Sequence, residues 1–167
     1  PKSLHLDELS TEDALKLMNH EDGRVPEVIA EVIPVIAEVV QKVTKVLAEG
    51  GRLIYMGAGT SGRLGVLDAV ECRPTFGTSD HQIIGLIAGG NDAMFRAHEN
   101  IEDQEQSGAA DLQSIQLTKQ DIVIGIAASG RTPYVIGGLK YANEMGAQTV
   151  GLVCNLDSPI KQVAQRQ

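Results

Sequence analysis

Four short apolar runs, three of them leading through a polar loop into a helical stretch, limit what this chain can fold into. The runs are 52–57, 82–88, 121–127 and 149–154, and their near-continuous Ile, Leu and Val leave no polar face. Strands apolar on both sides are buried on both faces, so helices must cover the sheet above and below. This predicts an α/β fold with an open, doubly wound parallel sheet, whose ligands lie beyond the carboxyl ends of its strands. The first 50 residues have a different texture and read as helical. Ser10 is a candidate N-cap with Asp13 three positions on, and Pro26 suits the first turn of a longer helix. Ile29, Val32, Ile33, Ile36, Val40 and Val43 recur at helical spacing; Pro34 should kink that helix or displace its start, and Gly50 and Gly51 should end it. The expected organisation is a helical segment, 1–50, packing on the domain or on a dimer partner, and an α/β domain, 51–167. The chain starts at Pro1 without Met and stops inside what reads as a helix, so that domain is expected to be incomplete at its carboxyl end.

Charge and composition exclude some functions. A formal net charge of −8 argues against nucleic acid or an anionic membrane as the main partner. It does not exclude a small anion, which a few local donors can bind. With no Trp, two Phe and three Tyr, base-stacking platforms are not expected. Cys72 and Cys154 form no CxxC pair and suit a reducing compartment. No apolar run approaches the ~20 residues of a membrane span, and no signal peptide opens the chain, so the cytoplasm is the expected location.

Two loops carry the chemistry. Gly57-Ala58-Gly59-Thr60-Ser61-Gly62-Arg63 follows the first strand and formally satisfies GxGxxG. A dinucleotide site also needs an acidic residue ending the second strand, but that strand runs into Ala88-Gly89-Gly90-Asn91 before Asp92 appears. Ala128-Ser129-Gly130-Arg131-Thr132-Pro133 follows the third strand. Each loop read alone is also compatible with a capped strand-to-helix turn. Together, at one sheet edge, they suit a phosphate monoester. Glycine lets the backbone approach, hydroxyls and amides donate, and a helix N-terminus favours an anion. The candidate phosphate-binding residues are Gly59, Thr60, Ser61, Arg63, Ser129, Gly130, Arg131 and Thr132. Arg63 and Arg131 can grip an oxyanion bidentately, or can be plain surface arginines. His98 and Glu102, four apart on an expected long acidic helix from Asp92, lack a third ligand, so no metal is expected.

Gly57 to Gly65, continuing through Leu67-Asp68-Ala69-Val70-Glu71-Cys72-Arg73-Pro74-Thr75, closely resembles the N-acetylmuramic acid 6-phosphate etherases. So do Gly125 to Val135, Gly85 to Gly90 and the acidic segment around Glu102, and the resemblance runs over 9–158. It implies the sugar isomerase (SIS) fold, a flavodoxin-like parallel sheet. It also implies a bacterial cytoplasmic homodimer without metal or organic cofactor. The implied activity is a lyase reaction: cleavage of the lactyl ether of N-acetylmuramic acid 6-phosphate to D-lactate and N-acetylglucosamine 6-phosphate in peptidoglycan recycling. The members are longer than this chain.

The resemblance maps two catalytic glutamates onto Glu71 and Glu102, with Glu99 as the neighbour that a small register error would substitute for Glu102. Without it, both read as solvated surface carboxylates. Two carboxylates suit the reaction, because a base must take the C2 proton of the open-chain sugar while an acid protonates the lactyl oxygen leaving C3. The expected split is Glu102 as base and Glu71 as acid. Two other readings remain open: a regulatory SIS domain that binds phosphosugars without turning them over, and an aldose-ketose isomerase.

Overall fold

The computed structural model describes residues 3–98 and 100–166, so Glu99 lies outside the described residues. The chain divides into two compact units, 1–38 and 39–167. In the first, helix α1 (Thr11–Asp22) starts where the sequence places it. Ser10 Oγ accepts the Asp13 amide at 3.2 Å and donates to the Asp13 carboxylate at 2.6 Å. Helix α2 (Val25–Ala48) begins in that unit with Pro26 in its first turn. Pro34 does not break it: helical assignment continues to Ala48, and Gly50 at φ 83° marks the end instead. The penalty of ~3 kcal/mol for an interior proline is met by the apolar ladder that follows it. In the second unit, Val39, Val43, Val46 and Leu47 of α2 pack against Leu53, Ile122 and Ile124.

That second unit holds the sheet. Its elements are β1 (Leu53–Gly57), α3 (Gly59–Phe76), β2 (Ile83–Ile87), α4 (Asp92–Phe95), α5 (Glu105–Ser114), β3 (Ile122–Ile126), α6 (Pro133–Glu144) and β4 (Gln148–Leu152). All strand pairs are parallel, in the order β2-β1-β3-β4, as near-continuous apolar runs demand. One core layer joins Ile54, Met56 and Val123 to Leu112 of α5 and to Val135 and Leu139 of α6. The end of α2 packs on the other face, where α3 also approaches close enough for a Cβ on Gly65 to meet Tyr55. Among the described residues, no helix is long and apolar enough to cross a membrane.

Two sequence expectations need correction. The acidic stretch from Asp92 is not one long helix. It is the single turn of α4, an extended piece, a 3-10 turn at Ile101–Asp103, and then α5. Helix α4 ends at Arg96, which is extended at φ −128° and ψ 144°, and Asn100 at φ 63° then takes the left-handed region, which an amide side chain tolerates. Glu102 therefore does not lie over Phe95, which is 90% exposed, and shares no helix face with His98. Nor do the last residues form a helix. After a short 3-10 turn (Pro159–Gln162), Arg166 bridges Val150 in parallel, and its carbonyl accepts the Gly151 amide at 2.7 Å.

One ion pair fixes the amino ends of the central strands. The Asp121 carboxylate, 2% exposed, accepts from the Arg52 amide at 3.0 Å, from Arg52 Nε at 3.0 Å and from Nη2 at 2.7 Å. Thr118 adds its amide at 2.8 Å and its hydroxyl at 3.2 Å. The same guanidinium donates to the carbonyls of Ile115 at 2.9 Å and Gln116 at 3.0 Å. Burial pushes the Asp121 carboxyl up, but the hydrogen bonds from Arg52 and Thr118 outweigh it and hold it below the usual carboxylate range. A carboxyl depressed in the fold stabilises above its unfolded pKa, about 3.9, and that contribution is lost as pH falls through the folded value. Asp121→Asn, which leaves the guanidinium without its counter-charge, should cost ~3–5 kcal/mol in urea unfolding at pH 7. It should also flatten the fall in stability below about pH 4; an unchanged urea midpoint would refute the assignment.

Candidate phosphosugar site

The pairing register brings the two loops side by side. Gly57, the last residue of β1, is opposite Ile126, the last of β3. Beyond them the chain enters α3 through Ala58-Gly59 and α6 through Ala127 to Thr132. Neither helix has a side-chain cap: Ala58 has no side-chain acceptor, and Thr132 makes no capping bond. Neither has an acidic residue in its first turn, whereas α1, α2, α4 and α5 all do. First-turn amides without intrahelical partners, at the positive end of the macrodipole, form an anion site.

Local sequence shapes each loop. A Cβ on Gly62 would lie 2.7 Å from the Gly57 carbonyl and from Ile87, so glycine lets α3 leave the strand at close range. In the second loop Ser129 Oγ accepts the Arg131 amide at 3.3 Å, and Gly130 turns at φ 65°, which a side chain would strain. The buried Ser158 hydroxyl sits where a Gly130 side chain would have to go. Beneath the loop, Tyr134 donates its hydroxyl to Asp111 at 2.7 Å and so fastens the start of α6 to α5. Burial, reinforced by that hydrogen bond, pushes the Tyr134 phenol far up. The Arg131 side chain is exposed, and its guanidinium has no hydrogen-bond or ion-pair partner among the described residues.

Beside the first loop lies a cavity of about 230 Å³, with Gly59, Arg63, Arg96, His98, Ile101 and Glu102 in its wall. Glu102 thus reaches the first loop despite the irregular chain that precedes it. Arg63, a candidate phosphate ligand, is largely engaged elsewhere. Its Nε donates to the Met94 carbonyl at 3.0 Å, and its Nη2 donates to Ala93 at 2.7 Å and Arg96 at 3.3 Å. It ties α4 to the first turns of α3 and so holds the segment that carries Glu102. His98 and Arg96 both face Asp92, at 2.6 and 3.6 Å. Their place in the cavity wall had no signal in sequence, because it follows from the early end of α4, where Arg96 turns extended.

Glu71 is elsewhere. It is exposed on α3, which rises about 18 Å from Gly59 to Glu71, and it does not line the Glu102 cavity. Next to it, burial pushes the Cys72 thiol up, with the nearby Asp68 charge adding to the effect; this favours the thiol over a nucleophilic thiolate. Among the described residues, no group of three or more His, Cys, Asp or Glu is placed to hold a metal.

A family model described as the glucokinase regulatory protein N-terminal SIS domain matches residues 35–143. The chain belongs to the SIS-domain family. It is 56% identical over 165 residues to N-acetylmuramic acid 6-phosphate etherase 2 of Vibrio cholerae, covering 99% of this chain and 54% of that protein. With the etherase of Halalkalibacterium halodurans the identity is 58% over 163 residues, covering 98% and 55%. The etherase resemblance read from the two loops therefore extends over nearly the whole chain. The chain spans about half the length of the curated relatives it matches. Among solved structures, the phosphoheptose isomerase of Francisella tularensis superposes with a TM-score of 0.73 at 16% identity, covering 94% of this chain and 82% of that one. That of Neisseria gonorrhoeae gives 0.70 at 13%, covering 93% and 82%. At such identities the likeness shows the SIS fold alone.

The Arg63 geometry makes a prediction. Arg63→Lys keeps the charge but loses the planar fork. Amide hydrogen exchange across 92–103 should accelerate about tenfold, equivalent to ~1.4 kcal/mol of lost local stability. Unchanged exchange there would show that Arg63 does not hold the segment.

Proposed function

We propose that this chain is the phosphosugar-binding SIS core of an N-acetylmuramic acid 6-phosphate etherase. One observation supports this most: two uncapped helix N-termini, without first-turn acids, at the ends of paired strands β1 and β3, beside a cavity walled by Glu102. The phosphate is received by the amides and hydroxyls of Gly59, Thr60, Ser61, Ser129, Gly130 and Thr132, with the Arg131 guanidinium as a cation beside them. Arg63 contributes its charge while holding the cavity wall.

In the reaction, Glu102 takes the C2 proton of the open-chain aldose. The C2–H electron pair forms a double bond to C3, the C3–O bond breaks, and the lactyl oxygen leaves with that bond's electrons and a proton from the Glu71 carboxylic acid. Water then adds at C3 while C2 regains a proton, which yields D-lactate and N-acetylglucosamine 6-phosphate. The reading places the protein in the bacterial cytoplasm, as a homodimer, in cell-wall recycling. A second reading, phosphosugar binding without turnover, is favoured by the absence of Glu71 from the Glu102 cavity within one chain.

A proton NMR time course with N-acetylmuramic acid 6-phosphate in heavy water separates them. Free lactate with deuterium at C2 of the product is the expected result, and Glu102→Gln should slow its release by ~10²–10⁴-fold. Line broadening relieved by inorganic phosphate, without lactate, would leave the binding reading. Neither signal from a folded chain would overturn both.

A further inference from the structure

We infer that Arg96 holds the lactyl carboxylate, and so sets the preference of the site for N-acetylmuramic acid 6-phosphate over the same sugar without its lactyl group. The inference deepens the etherase reading and rests on it. A substrate of that kind carries two anions, and the two loops receive only the phosphate. The lactyl carboxylate is separated from C3 by the ether oxygen and one carbon, and C3 adjoins C2, whose proton Glu102 takes. The carboxylate therefore comes to the cavity that Glu102 lines. Two carboxylates in one cavity repel each other, so a cation has to lie between or beside them.

Three basic side chains among the described residues line that cavity: Arg63, Arg96 and His98. Two of them are engaged. Arg63 gives Nε to the Met94 carbonyl and Nη2 to the carbonyls of Ala93 and Arg96. His98 Nε2 lies 2.6 Å from Asp92 Oδ2. Arg96 is different. Its Nη1 stands 3.6 Å from Asp92 Oδ1, an ion-pair distance beyond hydrogen-bond reach, and its guanidinium makes no hydrogen bond among the described residues. The two side chains of this pair are 77% and 53% exposed. An exposed pair of that kind contributes little, so Arg96 leaves Asp92 at small cost, while His98 keeps Asp92 occupied.

The root of Arg96 is fixed although its head is not. Its amide donates to the Asp92 carbonyl at 3.0 Å, and its carbonyl accepts from Arg63 Nη2 at 3.3 Å. A fixed backbone with a free planar fork suits bidentate capture of a carboxylate. Ala93, Ala97 and Ile101 in the same wall supply apolar surface for the lactyl methyl. The product sugar, once lactate has left, has no group for Arg96 to hold.

Calorimetric titration tests this. In a Glu102→Gln background, which slows turnover, N-acetylmuramic acid 6-phosphate and N-acetylglucosamine 6-phosphate are titrated with and without Arg96→Gln. The expected result is about 10- to 100-fold weaker binding of the first ligand and unchanged binding of the second. Arg96→Lys, which keeps the charge without the fork, should fall between the two. Equal losses for both ligands, or no loss for either, would overturn the assignment, as would a parent that binds both alike. The urea midpoint of Arg96→Gln should match that of its parent; a lower midpoint with both affinities reduced would assign Arg96 to the fold instead. A parent that binds neither ligand would overturn the phosphosugar reading itself, and this inference with it. Selective loss in a protein that releases no lactate would uphold Arg96 and count only against turnover.

Discussion

The Arg52–Asp121 pair lies far from the phosphosugar loops, yet their arrangement depends on it. It joins the residue before β1, the end of α5 and the residue before β3 through one buried carboxylate and one guanidinium. Parallel strands have no hairpin to set their alignment, so the alignment must come from packing and from such fixed points. With Leu53 held opposite Ile122, Gly57 arrives opposite Ile126, and the two loops leave the sheet at the same level. A slip of one residue would turn the apolar side chains of a central strand to the other face and separate the two helix N-termini. The amino ends of the strands are thus committed to stability, which leaves the carboxyl ends free to carry chemistry.

At that second edge, the proposed phosphate site is built mainly from backbone. The protein carries a net charge of −8, and its proposed ligand is a dianionic phosphate ester that also bears a carboxylate. Overall charge therefore opposes association, and local fields must outweigh it. The two helix N-termini do so because no capping carboxylate or first-turn acid neutralises them, unlike the four other helices. Arg63 adds charge at the first loop, although its hydrogen bonds go to the chain near α4. Side chains here largely position backbone.

How far the sequence discloses this depends on the range of each interaction. The four strands, the two loops and the Ser10 cap are legible because their signals are local: apolar runs, glycines at the strand ends, a hydroxyl three residues before a carboxylate. The acidic segment misleads for the same reason. Its Asp and Glu spacing resembles a solvated helix, whereas the chain turns extended at Arg96 and left-handed at Asn100, with carbonyls that Arg63 holds from another helix. Pro34 does not displace the start of its helix, which runs from Val25 through it to Ala48. The place of Glu102 in a cavity wall follows from those long-range contacts, and only the family resemblance singled it out beforehand.

Glu71 poses the reverse problem, since sequence marks it strongly and the isolated fold gives it nothing to act on. An exposed carboxylate in a leucine stripe is hard to explain within one chain. Had α3 served only to cover the sheet, its outer positions would have been free to be polar, as the solvent face of an ordinary amphipathic helix is. Leu64, Leu67 and Val70 depart from that pattern together, on the side that carries Glu71. The helix therefore has two apolar sides: glycines and Cys72 fit one to the sheet, and Leu64, Leu67 and Val70 stand exposed on the other.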